Sequence, residues 1–376
     1  MLSGLHFFGP VLNGLYFAMN FYIAARLLRY LRPGRAASRA LIAVFVLLAL
    51  AFPTAHPLES AVGGVLGRAW LWFGFFWLGA SFILFWVFLI FDLAFTALKA
   101  AGAKLPAGPC ALAALALAAV LIGAAVKGGA DEPRVNRLEV RLKGLPENLD
   151  GFKIVQISDL HLGRLNGPKK LARLVAQINA LKPDLVVFTG DLSERRENMP
   201  PEACGLLQSI RSRYGAAAAL GNHDLFAGKN NAADFFTGCG IRVLRGNAYE
   251  PADGLELGGV DDLRRAPLSS SDAALLAGTL FKPGSAAILL SHQPQGWEPV
   301  MNGAPGLVLS GHTHEGQIFP FSVIERPFFK YFYGLYKDRD TVIYVTSGAG
   351  TWGPPLRLFT VSELPLITLR RAAAAP

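Results

Sequence analysis

The sequence predicts a layered α/β domain preceded by an all-α membrane domain of about four transmembrane helices. Long apolar stretches dominate the first third of the chain, and 52% of the 376 residues are hydrophobic while only 17% are charged. After Asp131, short apolar runs alternate with turns rich in Gly, Pro, Asn and Asp, which is typical of buried strands. We therefore expect a transmembrane domain over residues 1–128, a linker with a first strand over 129–150, and the α/β domain over 151–376.

Four apolar stretches predict the membrane helices, at about residues 5–25, 40–55, 70–98 and 110–126. A helix needs about 20 apolar residues to cross the hydrocarbon core, so the second and fourth stretches are short. A re-entrant or tilted segment is therefore an open alternative for each of them. Asp92 lies inside the third stretch, and its proximity to Lys99 in the sequence favours a side chain that reaches towards the membrane interface.

Basic residues in the loops predict the orientation. Five arginines lie between the first two stretches, and Lys99 and Lys104 lie between the last two. Positive charge favours the cytoplasmic side, and four spans place both basic loops on that side. The catalytic part of the chain would then lie outside the cytoplasm, anchored in the inner or plasma membrane. A further basic cluster between Lys127 and Lys143 opposes this orientation.

Charge and cysteine content narrow the function classes. Residues 1–130 contain nine Lys/Arg against Glu59 and Asp92, which accounts for +7 of the formal net charge of +9. The later part is near neutral and lacks the basic surface that binds a nucleic-acid backbone, so no nucleic-acid partner is expected. Cys110, Cys204 and Cys239 form no CxxC pair, and the sequence leaves open whether Cys204 and Cys239 form a disulfide.

Six apolar runs in the later part predict buried strands. In chain order they are FKIVQIS, DLVVFTG, AAAAL, AAILLS, GLVLS and TVIYVTS. Between the first two, the segment from Pro168 to Pro183 has apolar residues at helical spacing and ends at a proline, which predicts a helix. Alternating strands and helices predict an α/β layered domain, and the strand-rich later part favours a sandwich of sheets flanked by helices.

All five histidines of the later part follow the ends of predicted strands. They share these turns with three aspartates and an asparagine, and the full set is Asp159, His161, Asp191, Asn222, His223, Asp224, His292, His312 and His314. Side chains at strand ends converge on one crevice. Carboxylate and imidazole ligands together suit divalent ions such as Mn, Fe or Zn, whereas a structural zinc site usually includes thiolates.

The ordered motifs DLH, GD, GNHD, SHQP and GHTH resemble those of the calcineurin-like metallophosphoesterases. The ending YVTSGAGTWGPPLRL…SELPLITL resembles the membrane-associated bacterial subgroup, and the resemblance extends from about Arg137 to Arg370. It implies a layered α-β-β-α sandwich and a metal-dependent phosphoric ester hydrolase with a dinuclear metal centre. Glu315 departs from the subgroup, which commonly has glycine after the second histidine, so we expect altered substrate contacts there and retained metal binding.

The resemblance also implies a role for each motif residue. The first of two divalent ions would be bound by Asp159, His161 and His314, and the second by Asn222, His292 and His312. Asp191 would bridge both ions. His223 would be a catalytic acid or would stabilise charge on the phosphate, oriented by Asp224. Arg164 and Arg357 are either contacts to the substrate phosphate or surface arginines.

Three functions are compatible with this pattern. The first is a membrane-anchored phosphoesterase acting on a lipid-linked or envelope phosphoester or pyrophosphate. A narrower alternative is a pyrophosphatase of the UDP-diacylglucosamine type in lipid A synthesis, which requires a cytoplasmic active site. The third is a sensor or transporter whose soluble domain only binds phosphate ligands, and the intact set of ligand residues argues against it. The sequence does not identify the substrate, the native metals or the oligomeric state.

Overall fold

The computed structural model describes residues 3–194, 199–226, 231–264, 269, 275–276, 279–297 and 305–372. The chain divides into two compact units. One contains Met1–Ala130 together with Ile318–Pro320 and Gly353–Phe359, and the other contains Asp131–Gln317, Phe321–Trp352 and Thr360–Pro376. Two short segments from late in the chain therefore belong to the helical unit. We describe each unit separately.

The helical unit contains five helices in the described part of the chain. They are α1 (Ser3–Leu31), α2 (Arg35–Ala51), α3 (Ala55–Val62), α4 (Gly64–Ala100) and α5 (Ala107–Ala130). Three segments are long and apolar enough to cross a membrane: Pro10–Leu31, Gly64–Ala100 and Ala107–Ala130. The pair formed by α2 and α3 is bent by 74° and counts as a fourth span only if both helices belong to one crossing.

A polar cluster joins α1 to α4 within this unit. Asp92 of α4 lies 2.6 Å from the Arg26 guanidinium Nε and accepts a hydrogen bond of 2.7 Å from the Tyr22 hydroxyl. The Tyr30 hydroxyl donates to the other carboxylate oxygen. A cation and two hydroxyls from α1 therefore satisfy the Asp92 carboxylate.

The two late segments of the helical unit pack on α4 and α5. Leu356 and Ile318 belong to an apolar cluster with Ile83 and Ala125, and the Arg357 amide donates to the Ala125 carbonyl at 2.9 Å. Arg357 is only 1% exposed, so its interpretation as a surface arginine is wrong. A Cβ atom on Gly128 or Gly129 would lie within 2.5 Å of a carbonyl oxygen of the 353–359 segment, and only glycine permits this approach.

The α/β unit is built on two six-stranded sheets. The strands of the first sheet, in spatial order, are β1 (Arg134–Leu142), β12 (Glu363–Arg371), β2 (Lys153–Ile157), β3 (Leu185–Thr189), β4 (Ala216–Ala219) and β5 (Arg242–Val243). Those of the second are β10 (Gly334–Asp338), β11 (Thr341–Val345), β9 (Leu307–Ser310), β8 (Ala286–Ser291), β7 (Leu255–Val260) and β6 (Asn247–Ala252). Neighbouring strands β2, β3 and β4 are parallel, as are β7, β8 and β9. All six strands predicted from the apolar runs are present.

Apolar side chains of both sheets form the central core, and helices cover the outer face of the first sheet. Ile154 and Val187 of the first sheet share one buried cluster with Ile288 and Leu309 of the second. The helices on the outer face are α6 (Pro168–Leu181), α7 (Ala203–Gln208) and α9 (Asn231–Gly238), and α8 (Asn222–Phe226) lies between α7 and α9 in the chain. This confirms the predicted α/β fold class and the preceding helical region.

Helix α6 shows why these elements form where they do. It begins with a proline in its first turn and ends before Lys182, which adopts a left-handed conformation ahead of Pro183. Its buried residues, Leu171, Leu174, Val175 and Ile178, follow the spacing of one helical face. Burial of each such side chain contributes about 1.5–3 kcal/mol, which fixes α6 on the sheet.

Candidate metal centre

The carboxyl ends of parallel strands in both sheets carry the predicted site residues. Asp159 and His161 follow β2, and Asp191 follows β3. Asn222 and His223 begin α8 after β4, His292 follows β8 directly, and His312 and His314 follow β9. The structure brings the predicted metal-binding side chains together in two neighbouring groups, as expected for strand ends that converge.

The first group consists of Asp159, His161 and His314. The Nε2 atoms of the two histidines lie 3.1 Å apart, and the His314 Nε2 lies 3.4 Å from a carboxylate oxygen of Asp159. Asp159 and His161 are at most 2% exposed. Three ligand atoms therefore converge on one buried point.

The second group consists of Asn222, His292 and His312. The His292 Nε2 atom lies 3.1 Å from the Asn222 side-chain oxygen and 3.2 Å from the His312 Nδ1 atom. The His292 Nδ1 atom lies 2.8 Å from the Thr189 carbonyl oxygen, which can only accept a hydrogen bond. This contact fixes the proton on Nδ1 and leaves Nε2 of the neutral ring free as a ligand.

Asp191 lies between the two groups. Its Oδ2 atom is 3.8 Å from the His161 Nε2 atom of the first group and 3.2 Å from the His292 Nε2 atom of the second. Its other oxygen accepts a hydrogen bond from the His223 amide at 2.9 Å. Although burial raises its pKa, the neighbouring His292 holds the pKa of Asp191 well below its usual value, so this carboxylate is ionised.

The donor set fits two divalent ions. Bonds of about 2.0–2.2 Å from one ion to nitrogen and oxygen place neighbouring ligand atoms about 3.0–3.5 Å apart. The distances of 3.1, 3.2 and 3.4 Å within the two groups lie in this range. A mixed set of imidazole, carboxylate and amide ligands is suited to Mn, Fe or Zn.

The backbone at these positions is strained. Five of the seven predicted metal-binding residues have positive φ although none is glycine: Asp159, His161, Asp191, His312 and His314. Non-glycine residues persist in this region only when the surrounding structure forces them, and such residues concentrate at functional sites. The spacing of the motif residues in the sequence does not indicate this backbone strain.

Two glycines of the motifs are required by close contacts and not by unusual torsion angles. A Cβ atom on Gly311 would lie 2.0 Å from the Ser158 hydroxyl oxygen, and one on Gly221 would lie 2.2 Å from an Asp191 carboxylate oxygen. Gly190, in contrast, has a positive φ of 92°. The sequence predicts sharp turns at all three glycines, and only Gly190 has the left-handed backbone that favours glycine.

Charges in the site favour cations. Burial lowers the pKa of His161, but the Glu194 and Asp191 carboxylates outweigh it and raise this pKa to about 9. Burial also lowers the pKa of His292, but the neighbouring carboxylates, mainly Asp191, outweigh it and raise this pKa to about 10. Burial and the neighbouring His292 lower the pKa of His312 to about 3. The carboxylates therefore stabilise positive charge in the site. Either protons on the histidines or bound metal ions can supply this charge.

His223 lies beside the first group and contacts a carboxylate that the sequence motifs do not include. Its Nδ1 atom is 3.4 Å from one oxygen of Glu194, and the other oxygen of Glu194 is 3.1 Å from the His161 Nδ1 atom. The rings of His223 and His161 are 4.9 Å apart in an edge-on arrangement. Glu194 thus connects a predicted metal ligand to the predicted catalytic histidine.

Asp224 has different partners from those expected for a residue that orients His223. Its carboxylate accepts hydrogen bonds from the backbone amides of Asp191, Leu192 and Gly221 at 2.8–3.1 Å. Burial and the Asp191 charge raise the pKa of Asp224 to about 6. These contacts hold the loop that carries Asp191 against the start of α8.

Glu315 and the two candidate arginines complete the predicted set. Glu315 has φ 56° and ψ 26°, a left-handed conformation that explains why glycine is common here in the subgroup that the sequence resembles. Arg164 is exposed, in the loop between His161 and α6, whereas Arg357 is buried in the helical unit.

Comparisons with known proteins identify the family of the α/β unit. The family model for calcineurin-like phosphoesterases matches residues 152–316. A "transmembrane protein with metallophosphoesterase domain" of Danio rerio is 35% identical over 273 residues, which cover 69% of this chain and 62% of that protein. An uncharacterized metallophosphoesterase of Campylobacter jejuni is 34% identical, and the match covers 69% of each chain. This chain therefore spans less than two thirds of the Danio rerio relative.

Among solved structures, the 5'-nucleotidase precursor of Thermus thermophilus is similar to part of the chain. The identity is 17%, the TM-score is 0.36, and the match covers 58% of this chain and 54% of that one.

Proposed function

The chain belongs to the calcineurin-like phosphoesterase family and is a metal-dependent hydrolase, and from this premise we propose that it is a membrane-anchored dimetal phosphoesterase. Its substrate would be a phosphoester or pyrophosphate, carried by a lipid or by another component of the cell envelope. The observation that carries the proposal is the position of Asp191 between two groups of ligand atoms.

In this proposal each group holds one divalent ion. Asp159, His161 and His314 would bind the first, Asn222, His292 and His312 would bind the second, and Asp191 lies near the ligand atoms of both groups. When bound, two such ions stabilise the attacking and leaving oxygens of an in-line displacement at phosphorus and activate the attacking water. The strained and buried backbone keeps the ligand atoms in place before substrate arrives.

His223 would act as the acid that protonates the leaving oxygen. It is partly exposed beside the two groups of predicted ligands, as expected for a side chain that contacts substrate. Its proximity to Glu194 supports a role for Glu194 in orienting the ring, and we assign that role to Glu194 in place of Asp224. Asp224 would instead stabilise the loop of Asp191.

Two features support a site outside the cytoplasm, in a plasma or inner membrane. Cys204 of α7 and Cys239 of α9 form a disulfide with a Cα separation of 5.2 Å, and disulfides persist mainly in oxidising compartments. The five arginines between Arg26 and Arg39 favour a cytoplasmic location of the first loop. A pyrophosphatase acting on a cytoplasmic lipid A precursor requires the opposite orientation.

A lipid-linked or envelope substrate is supported by the covalent link to the membrane helices. Helix α5 ends at Ala130 and strand β1 begins at Arg134, so the chain tethers the catalytic unit closely to a spanning segment. A phosphate sensor without catalysis would not need the full set of ligands, which is present.

The dimetal assignment predicts that Asp191→Asn removes metal and activity together. The full-length protein in detergent should lose bound metal, measured by elemental analysis, and should lose more than about 100-fold in hydrolysis, since changes outside the ligand shell already cost 10–100-fold. The substrate panel should include phosphomonoesters, phosphodiesters and lipid pyrophosphates.

Asp234→Asn is the matched control, because Asp234 is an exposed residue of α9 outside the site. It should retain both metal and turnover, and circular dichroism should show that both variants are folded. Two ions per chain and normal turnover in Asp191→Asn would refute the assignment.

A further inference from the structure

Residues 321–329, here called the apolar segment, expose an unusual number of large apolar side chains. They comprise α10 (Phe321–Glu325), a 3-10 helix (Arg326–Phe328) and Phe329, and neither helix has a buried residue. The exposed fractions are 42% for Phe321, 61% for Val323, 41% for Ile324 and 74% for Phe328. Isolated apolar residues on a surface are normal, whereas several within eight positions indicate a binding surface.

One basic residue lies within the apolar segment and another follows it. Arg326 and Lys330 are exposed, and Lys330 pairs with Asp338 at 2.7 Å. Glu325, which is partly exposed, is the acidic residue of the segment, and its partial removal from water raises its pKa to about 7, which reduces its negative charge near neutral pH. Apolar side chains bordered by cations are typical of segments that lie in the membrane interface and contact phosphate headgroups.

The apolar segment is fixed to the turn that carries two predicted metal ligands. A Cβ atom on Gly316 would lie 2.3 Å from the Ser322 Cα atom, so α10 packs directly on the turn after His314. At the other end, the ring of Phe329 lies 5.8 Å from the ring of His312. A movement of the segment would therefore disturb the metal-binding turn.

We propose that the apolar segment inserts its exposed side chains into the headgroup–acyl boundary of the bilayer that the chain itself spans. A bilayer is always within reach, because the same chain carries at least three helices long and apolar enough to cross one. The segment also begins directly after Ile318–Pro320, which belongs to the helical unit. The exposed Arg326 guanidinium is complementary to lipid phosphates. These features favour lipid over a second copy of the chain as the occupant.

This inference goes beyond the proposed reaction, because insertion does not require turnover. Its consequence for catalysis rests on the proposed function. For a substrate held in the same bilayer, insertion would keep the turn of His312 and His314 at the depth of the headgroups. Hydrolysis of a soluble aryl phosphate would not depend on it.

The test uses the full-length protein in lipid nanodiscs of phosphatidylcholine and phosphatidylglycerol. In a Cys110→Ser background, Val323→Cys and, separately, Phe328→Cys are labelled with an environment-sensitive fluorophore. Leu275→Cys is the matched control, because Leu275 is 64% exposed and lies outside the apolar segment. Lipids with a nitroxide on the upper acyl chain then serve as quenchers, in parallel with a water-soluble quencher.

We expect labels at positions 323 and 328 to emit at shorter wavelength and to be quenched by the nitroxide lipids several-fold more than the label at position 275. Equal quenching at all three positions would overturn the proposal. A label shielded from both quenchers would overturn it as well, since it would show that a second copy of the chain covers the segment. Both readouts are independent of hydrolysis, so a protein without phosphoesterase activity tests the insertion equally well.

Discussion

Glu194 shows how one carboxylate can act on two histidines of different function. Its two carboxylate oxygens lie 3.1 Å from the His161 Nδ1 atom and 3.4 Å from the His223 Nδ1 atom. It can therefore orient the His161 ring for metal binding and the His223 ring for proton donation. Carboxylates that contact the second nitrogen of a metal-binding histidine fix its orientation and raise its basicity. In the proposed mechanism Glu194 is therefore a positioning residue that acts through both rings.

We predict that Glu194→Gln lowers metal affinity by about 10–100-fold, the usual effect of losing a carboxylate behind a histidine ligand. At saturating metal the variant should retain both ions and still hydrolyse substrates with poor leaving groups more slowly, because His223 is less well oriented. Metal titration and turnover on a leaving-group series measure the two effects separately.

Glu202→Gln, an exposed position at the start of α7, is the control and should match the native protein. The double variant Glu194→Gln/His223→Ala provides a second check. General acid catalysis contributes typically 10²–10⁴-fold to the rate. Most of the rate loss of the double variant should therefore already be present in His223→Ala. Fully additive losses at saturating metal would contradict the role of Glu194 in orienting His223.

The sequence predicts the candidate ligand residues, which the structure brings together, but it does not predict Glu194. The ligands occur in short motifs with glycine and a fixed order, whereas Glu194 follows Asp191 by three positions in a stretch without a recognisable pattern. Its contact with His161 joins loops that follow different strands, and Asp191 and His161 in these loops have positive φ values that the sequence does not indicate. A carboxylate shortly after the GD motif is the one signal that could have suggested it.

At the scale of elements, the cluster around Asp92 joins α1 and α4. The carboxylate receives one cation and two hydroxyl donors from α1, so its loss would leave Arg26 in an apolar environment without its partner. Removing one member of a buried ion pair typically costs about 3–5 kcal/mol, and a smaller cost is expected here because both side chains are partly exposed. This cluster therefore contributes to the packing of two predicted spanning helices.

We predict that Asp92→Ala lowers the midpoint of thermal unfolding of the detergent-solubilised protein by several degrees. Arg68→Ala is the control, because Arg68 is exposed and donates to the Gly64 carbonyl of its own helix turn. The double variant Arg26→Ala/Asp92→Ala should be less destabilised than the sum of its single changes, since no charge remains unpaired. An Asp92→Ala midpoint equal to that of Arg68→Ala would contradict the structural role.

The strands that the sequence predicted and those that it missed differ for a physical reason. Parallel strands buried on both faces are continuous apolar runs, such as AAILLS in β8. Strand β7 is equally buried, but Gly258 and Gly259 interrupt its apolar pattern. A Cβ atom at these positions would lie 2.7 Å from the Phe281 ring and 2.6 Å from the Leu244 Cβ atom, so neighbouring side chains fill the space. Such compensation depends on tertiary packing.

At the scale of the whole molecule, the number of membrane crossings determines which side the catalytic unit occupies. Helix α2 has 17 residues and is therefore about 26 Å long, less than the hydrocarbon thickness of about 30 Å. With α3 included the pair would be long enough, but the bend of 74° is also compatible with a re-entrant loop. Four crossings return the chain to the side of its N-terminus, and three place it on the opposite side.

The distribution of charge favours four crossings. With four, the arginines from Arg26 to Arg39 and the pair Lys99 and Lys104 lie on the same face, whereas with three the lysine pair lies on the face opposite to the arginines. The disulfide between Cys204 and Cys239 agrees with four crossings, because thiols in the cytoplasm are kept reduced. The basic cluster from Lys127 to Lys143 acts against this orientation, but long translocated domains tolerate charge better than short loops do.

We therefore predict that a reporter active only outside the cytoplasm is active when fused after Pro376. The same reporter inserted at Gly34, between α1 and α2, should be silent, because that loop carries the arginines. Thiol labelling of the untreated protein should detect Cys110 alone, with Cys204 and Cys239 reacting only after reduction. A silent reporter after Pro376, together with free thiols at positions 204 and 239, would instead indicate three crossings and a cytoplasmic catalytic unit. Such a result would make the pyrophosphatase of lipid A synthesis the better assignment, because its substrate is exposed on that side of the membrane.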